Sequence, residues 1–254
     1  MKFRNRKKSE SAFQVKNQDE NLLTKKSPFA VREAYKAMRT NLMFSIPGEK
    51  CRKILITSSK QHEGKSITAV NLGIAFAENQ AKVLLVDCDL RMPTDAQKLQ
   101  LKQSPGLTNL LIGLCALEDA VHHLPNGLDV LPAGDIPPNP SELLGSEEMQ
   151  VLIEQLEQEY EYIIFDTPPV CTVTDAAILS KWMSGVVMVV RRNIADQESV
   201  AAALSQLNFA EAKLLGFVFN DALNEQQKTY KKYGYGYGYG YGYSYAQAHS
   251  AQRG

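Results

Sequence analysis

KILITSSKQHEGKS, residues 53–66, runs from apolar residues into a polar loop and closes on Gly64-Lys65-Ser66. KILITSS (53–59) reads as a buried strand, and SITAVNLGIAFAEN (66–79) reads as the helix that follows. A strand, a loop and a helix start in this order make a phosphate cradle. Backbone N–H groups and the helix N-terminus face the anion, and Gly64 lets the backbone approach it closely. Lys65 places a point charge on the β- and γ-phosphates of ATP, and Ser66 offers a hydroxyl to Mg²⁺. Ser59, Lys60, Gln61, His62, Glu63, Gly64, Lys65 and Ser66 are therefore the candidate ATP-binding loop. The pattern GxxxxGK[ST] has glycine where this chain carries Ser59, and His62 also takes a place often given to glycine. Lys60 is either an exposed loop lysine or, as in some partition ATPases, one that reaches a neighbouring subunit's nucleotide.

Two further apolar strands end in acid. VLLVDCD (83–89) carries Asp87 and Asp89, with Arg91 just beyond, and YIIFDTPP (162–169) carries Asp166. Period-two spacing sends Asp87 and Asp89 to one side if the strand persists that far. Carboxylates at strand ends beside a phosphate loop are Mg²⁺ partners, and the DxD can also supply a base for an incoming hydroxyl. Ser66, Asp87, Asp89 and Asp166 are the candidate metal set; Lys65, Asp87, Asp89 and Asp166 are the candidate catalytic set. The base and metal roles are not divided between Asp87 and Asp89. Arg91 either neutralises phosphate or pairs with an aspartate.

LDVLPAG (128–134), GVVMVVRR (185–192) and KLLGFVFN (213–220) complete the strands. SELLGSEEMQVLIEQLEQEY (141–160) reads as one long helix capped by its first serine, and Ser27-Pro28 opens another through Val31, Ala34, Tyr35 and Met38. Continuous apolar strands separated by helices define an α/β class: a P-loop NTPase-type, mostly parallel sheet with helices on both faces. Ligands bind such sheets at the carboxyl ends of the strands. Asn220, ending the last strand, is the candidate for holding adenine.

The chain divides into a polar, disordered N-terminus (1–26), a P-loop domain (27–224) and a flexible tail (225–254). At 254 residues it fits one α/β domain with short ends. Its 28 basic and 28 acidic residues cancel, which removes the charge argument for a nucleic-acid partner. The basic start (Lys2, Arg4, Arg6, Lys7, Lys8) is a solvated end or a weak contact for anionic lipid. No apolar run follows it, so no secretory leader is expected. The most apolar stretch, Ile178 to Val190, is interrupted by Lys181, so no membrane span is expected either. Cys51, Cys88, Cys115 and Cys171 form no CxxC pair and read as free thiols of a reducing cytoplasm. The tail alternates glycine with Tyr230, Tyr233, Tyr235, Tyr237, Tyr239, Tyr241, Tyr243 and Tyr245, which denies it a helix.

From about Ser27 to Tyr245 the chain resembles the bacterial tyrosine kinases of capsule and exopolysaccharide gene clusters. The family's Walker A matches TSSKQHEGKS, its Walker A′ LLVDCDLR and its Walker B IIFDTPP; IPPNPSELL (136–144) and the closing tyrosines are similar too. The resemblance implies ATP and Mg²⁺ as cofactors, and Asp87 as base or metal contact. It implies the tail tyrosines as phosphoacceptors, modified in trans within an oligomer. The family's ExxRxxR helix, which packs subunits into a ring, appears as Glu33, Lys36 and Arg39, with lysine replacing a bidentate arginine. The layout implies a separate transmembrane activator of the polysaccharide co-polymerase type, recruitment to the inner face of the plasma membrane, a cognate tyrosine phosphatase and protein substrates of polysaccharide synthesis. Two other readings use the same motifs: a partition or positioning ATPase, and a nucleotide-gated, non-catalytic adaptor. Neither accounts for eight clustered tyrosines as directly.

Overall fold

The computed structural model describes residues 21–221. The expectations for the tail tyrosines and for the basic start concern residues outside that range. In chain order the first half runs α1 (Phe29–Ser45), β1 (Arg52–Ser58), α2 (Lys65–Ala77), β2 (Val83–Asp87), α3 (Asp95–Leu99), α4 (Leu107–Leu111), α5 (Leu117–Ala120), β3 (His122–His123) and β4 (Leu128–Leu131). The second half runs α6 (Pro140–Leu144), α7 (Glu147–Glu159), β5 (Tyr162–Asp166), α8 (Asp175–Ser180), β6 (Gly185–Arg191), α9 (Gln197–Phe209) and β7 (Leu214–Asn220).

The strands form one seven-stranded sheet in the order β3-β4-β2-β5-β1-β6-β7, parallel except where β3 meets β4. Period-two alternation divides each central strand between two cores. Leu55, Leu84, Val86, Ile163 and Phe165 face α4, α7, α8 and α9, while Ile54, Ile56, Leu85 and Ile164 face α1 and α2. Both faces are covered, as the unbroken apolar strands required. α2 is buried along nearly its whole length, because the sheet lies on one side and α1 on the other.

Three local expectations are corrected. The stretch 141–160 is two helices, not one: α6 ends at Leu144, and Ser146, extended at φ −74° and ψ 164°, starts α7 by accepting from Met149 N at 3.2 Å. A serine followed by Glu147 and Glu148 makes a strong helix start, since the acids meet the positive end of the helix dipole. Ser27 does not cap α1 but closes a turn in which its Oγ accepts from Thr24 N at 2.9 Å. The packed body also begins before Ser27, with Leu22 and Leu23 buried in the core beside α2.

Asn71 holds that leading segment. Its Oδ1 accepts from Leu23 N at 2.7 Å, and its Nδ2 donates to Asn21 O at 3.0 Å and to the Tyr35 hydroxyl at 3.2 Å. One buried amide thus ties residues 21–23 and α1 to α2. Asn71→Ala is expected to lower unfolding free energy by about 1–3 kcal/mol and to speed amide exchange at Leu23. Unchanged protection at Leu23 would remove this clamp from the account.

Candidate functional site

Parallel pairing brings the functional residues to one edge of the sheet. β2 and β5 are in register with Asp87 opposite Asp166, and β5 places Asp166 beside Ile56 of β1, just before the loop at 59–66. The loop ends on Gly64 at φ 90°, a left-handed conformation that glycine adopts freely. A Cβ there would lie 2.2 Å from Asn220 Nδ2. Asn220 donates to Glu63 O at 2.9 Å, so the residue expected to hold adenine also fastens the end of the loop.

Ser59 and Glu63 brace the loop from within. Glu63 is fully buried, and its carboxylate accepts from Ser59 N at 2.8 Å, Ser59 Oγ at 3.0 Å and Lys60 N at 3.2 Å. A serine at the first glycine position is accommodated because its hydroxyl joins this brace. His62 takes φ 65°, a conformation that costs a side-chain-bearing residue about 1–2 kcal/mol. This is the physical reason glycine is frequent there. Lys60 forms an ion pair with Asp196 of its own chain, at the N-cap of α9.

Lys65 stands among acids. Its Nζ lies 2.9 Å from Asp89 Oδ2, 3.3 Å from Ser66 Oγ and 3.8 Å from Asp166 Oδ2. Burial opposes the ammonium charge, but the carboxylates of Asp166 and Asp89 outweigh it and keep Lys65 protonated well above its ordinary range. β2 ends at Asp87, so period-two alternation does not extend to Asp89; Asp89 faces the site because Met92 N donates to its Oδ1 at 3.0 Å in the following turn. Asp87 accepts from Asp89 N at 3.1 Å and from Thr94 N and Asp95 N at 3.2 Å each. Burial, then the charge of Asp166, push Asp87 up to about 7 against those hydrogen bonds. Burial also raises Asp166, which the Lys65 ammonium and the Ser66 hydroxyl pull partway back.

Arg91 is an aspartate partner. Its Nε and Nη2 grip Asp175 at 3.1 and 3.2 Å, and Nη2 donates to Ser141 Oγ at 2.9 Å, which bolts the turn after β2 to α6 and α8. On α1, Lys36 pairs with Glu33 at 2.7 Å, and Arg39 donates to Ala75 O at 2.7 Å, docking α1 on α2. A cleft of about 410 Å³ opens over the loop, lined by His62, Lys65, Ser66, Asp89 and Lys98. Sequence reasoning missed Asp95, Lys98 and Asp175. Asp95 reads as an acid in a helix's first turn, and nothing local announces that it is fully buried.

The donors suit the implied ligands. The buried oxygens of Asp166, which have the Lys65 ammonium at 3.8 Å but no close hydrogen bond, and the hydroxyl of Ser66 are hard oxygen ligands of the kind Mg²⁺ takes. Lys65 and the backbone of the loop face the cleft where phosphates fit.

A sheet-edge cradle with three acidic partners defines a P-loop nucleotide-binding protein. Residues 51–214 match the AAA domain family. The tyrosine-protein kinase YwqD of Bacillus subtilis (strain 168) is 39% identical over 203 residues, 80% of this chain and 86% of that one. The tyrosine-protein kinase CpsD of Streptococcus agalactiae is 36% identical over 205 residues, 80% of this chain and 88% of that one. Among solved structures, the chimerical protein CapA2B2 superposes with a TM-score of 0.72 at 39% identity, covering 76% of this chain and 85% of that one. The chain belongs to the bacterial tyrosine-protein kinases, built on an AAA domain.

Two measurements test the site. Asp175 is wholly buried, so Arg91→Ala leaves its carboxylate with the Ser141 hydroxyl, at 2.6 Å, in place of the guanidinium, and should lower stability by about 1–3 kcal/mol in urea denaturation; an unmoved midpoint would discard the bolt. Asp87, raised to about 7, keeps a proton in the folded chain that the unfolded chain releases near its ordinary value of 3.8. Its contribution is therefore full in acid and is lost as pH rises toward about 7. Without nucleotide or divalent ions, the stability of Asp87→Asn relative to wild type should grow between about pH 4 and about pH 7. A difference that stays flat with pH contradicts the assignment.

Proposed function

We propose that this kinase transfers the γ-phosphate of ATP to tyrosine hydroxyls, among them those of its own tail, and thereby regulates capsular or exopolysaccharide synthesis and export. The observation that carries the reading is that Lys65, Ser66 and Asp89 line one cleft at the sheet's carboxyl edge, with Asp87 and Asp166 buried at the strand ends beside them.

The loop backbone and Lys65 bind and orient the phosphates. To do so Lys65 turns from Asp89 and Asp166 toward the stronger anion, which frees both acids. Ser66, Asp89 and Asp166 would hold Mg²⁺. When bound, Mg²⁺ neutralises charge on the transferring phosphoryl group. Asp87 accepts the phenol's proton as the new P–O bond forms and ADP departs. A free phenol has a pKa of about 10, and a base raised toward neutrality receives its proton more readily than an ordinary carboxylate does. Asp87 is thus given the base role and Asp166 the metal role.

The glycine-spaced tyrosines, Tyr230 to Tyr245, suit such a pocket because each can be presented in turn by the same chain or a neighbour. Each phosphate adds about −1.5 to −2 charges, so a heavily modified tail repels itself and its neighbours. Low phosphorylation then favours a ring joined through the Glu33, Lys36 and Arg39 helix, and high phosphorylation favours its release. A cognate tyrosine phosphatase resets the cycle. Among the described residues no helix is long and apolar enough to cross a membrane, which fits recruitment by a separate transmembrane activator.

The test is incubation of purified protein with Mg-ATP and an activator's cytoplasmic fragment, followed by phosphotyrosine detection and mass spectrometry. Replacing the eight tail tyrosines with phenylalanine should remove most label while ATP binding persists. Lys65→Met should abolish labelling, by at least about 100-fold. Free phosphate without phosphotyrosine would favour a partition-type ATPase, and neither product would favour an adaptor.

A further inference from the structure

Asp95 has no part in the transfer just described. Its side chain is fully buried, and neither carboxylate oxygen has a hydrogen-bond partner. One oxygen each from Asp87, Asp95 and Asp166 lies within 4.8 Å of the others. Both oxygens of Asp166 are likewise buried without a hydrogen-bond donor.

Three carboxylates gathered out of water repel one another and lose their hydration. Of the two cations that bear on the cluster, Lys65 is engaged at 2.9 Å with Asp89 and stands 3.8 Å from Asp166, and Lys98, which also acts on Asp95, donates to the Thr94 hydroxyl. A proton shared between two of the acids would satisfy one oxygen of Asp95 and leave its other oxygen, and those of Asp166, without a partner. A divalent cation answers all three acids together. Three backbone N–H groups hold the Asp87 carboxyl in place, and an incoming cation displaces the proton it otherwise keeps. The donor set is oxygen alone, which selects a hard ion such as Mg²⁺ or Mn²⁺ over the thiophilic metals.

We propose that Asp87, Asp95 and Asp166 form a divalent-cation site that fills in the absence of nucleotide. It goes beyond the proposed function, in which Mg²⁺ enters with ATP on Ser66, and it shares two residues with that reading: Asp166, and Asp87, which serves as base once nucleotide and its own Mg²⁺ have entered. A resident cation cancels the acids' mutual repulsion and leaves Lys65 less firmly held, so the cradle is prepared before ATP arrives. Asp95 is the residue that distinguishes this site from the nucleotide's own metal position.

The experiment uses the full chain, stripped of nucleotide and treated with a chelator. Titration with Mn²⁺, followed by loss of the free-ion electron paramagnetic resonance signal, should show about one ion bound per chain, displaceable by Mg²⁺. Asp95→Asn should weaken this uptake by at least about tenfold. Mg²⁺ alone should raise the melting temperature of the wild type and not that of the variant. No uptake by the nucleotide-free wild type overturns the proposal, as does undiminished uptake by a folded Asp95→Asn; Asp95→Ser replaces that variant if it does not fold. Wild-type binding of a fluorescent ATP analogue with Mg²⁺ is measured alongside. Analogue binding without nucleotide-free Mn²⁺ uptake defeats this site alone, and loss of both defeats the cradle as well.

Discussion

The ammonium of Lys65 among buried carboxylates is the interaction on which the rest of the site depends. Asp89 takes its hydrogen bond and Asp166 its field, and the acids in turn keep it charged against the cost of burial. The surplus of negative charge at this edge makes the site receptive to cations, while the loop's N–H groups and Lys65 itself receive anions. Magnesium and a polyphosphate together match both halves of that field. Neither half would exist without the parallel register that sets Asp87 across from Asp166.

The loop reaches the familiar cradle by other means than a run of glycines. Buried Glu63 gathers Ser59 and Lys60, Arg191 donates to the His62 carbonyl at 3.2 Å, and Asn220 fastens the carbonyl of Glu63. Hydrogen bonds from within the loop and from the ends of β6 and β7 hold a backbone whose freedom glycine would otherwise supply. They also help His62 keep a left-handed conformation, because its own carbonyl and the next are held by Arg191 and Asn220.

Much of this was legible in the order of residues. Apolar runs ending in Asp87 and Asp166, with Gly64-Lys65-Ser66 after a third, specify a parallel sheet and its functional edge. Errors arose where a local pattern had two solutions. The stretch 141–160 satisfies helix periodicity throughout, yet Ser146 is the better N-cap and divides it. Other residues are open rather than mistaken: by type, Arg91, Arg39 and Lys60 each suit phosphate, a neighbouring subunit or a partner in their own chain. Their partners, Asp175, the Ala75 carbonyl and Asp196, lie 84, 36 and 136 positions away, beyond any local rule.

The sequence alone determined the class of sheet and singled out the candidate phosphate loop and the acids that end its strands. Those follow from spacing and side-chain chemistry within a few residues. Only the tertiary structure decided which charges meet. Asp95 looks like an ordinary helix-start acid until packing removes its water and sets it beside Asp87 and Asp166. Burial and long-range proximity belong to the folded chain, and they alone turn three scattered aspartates into one electrostatic unit.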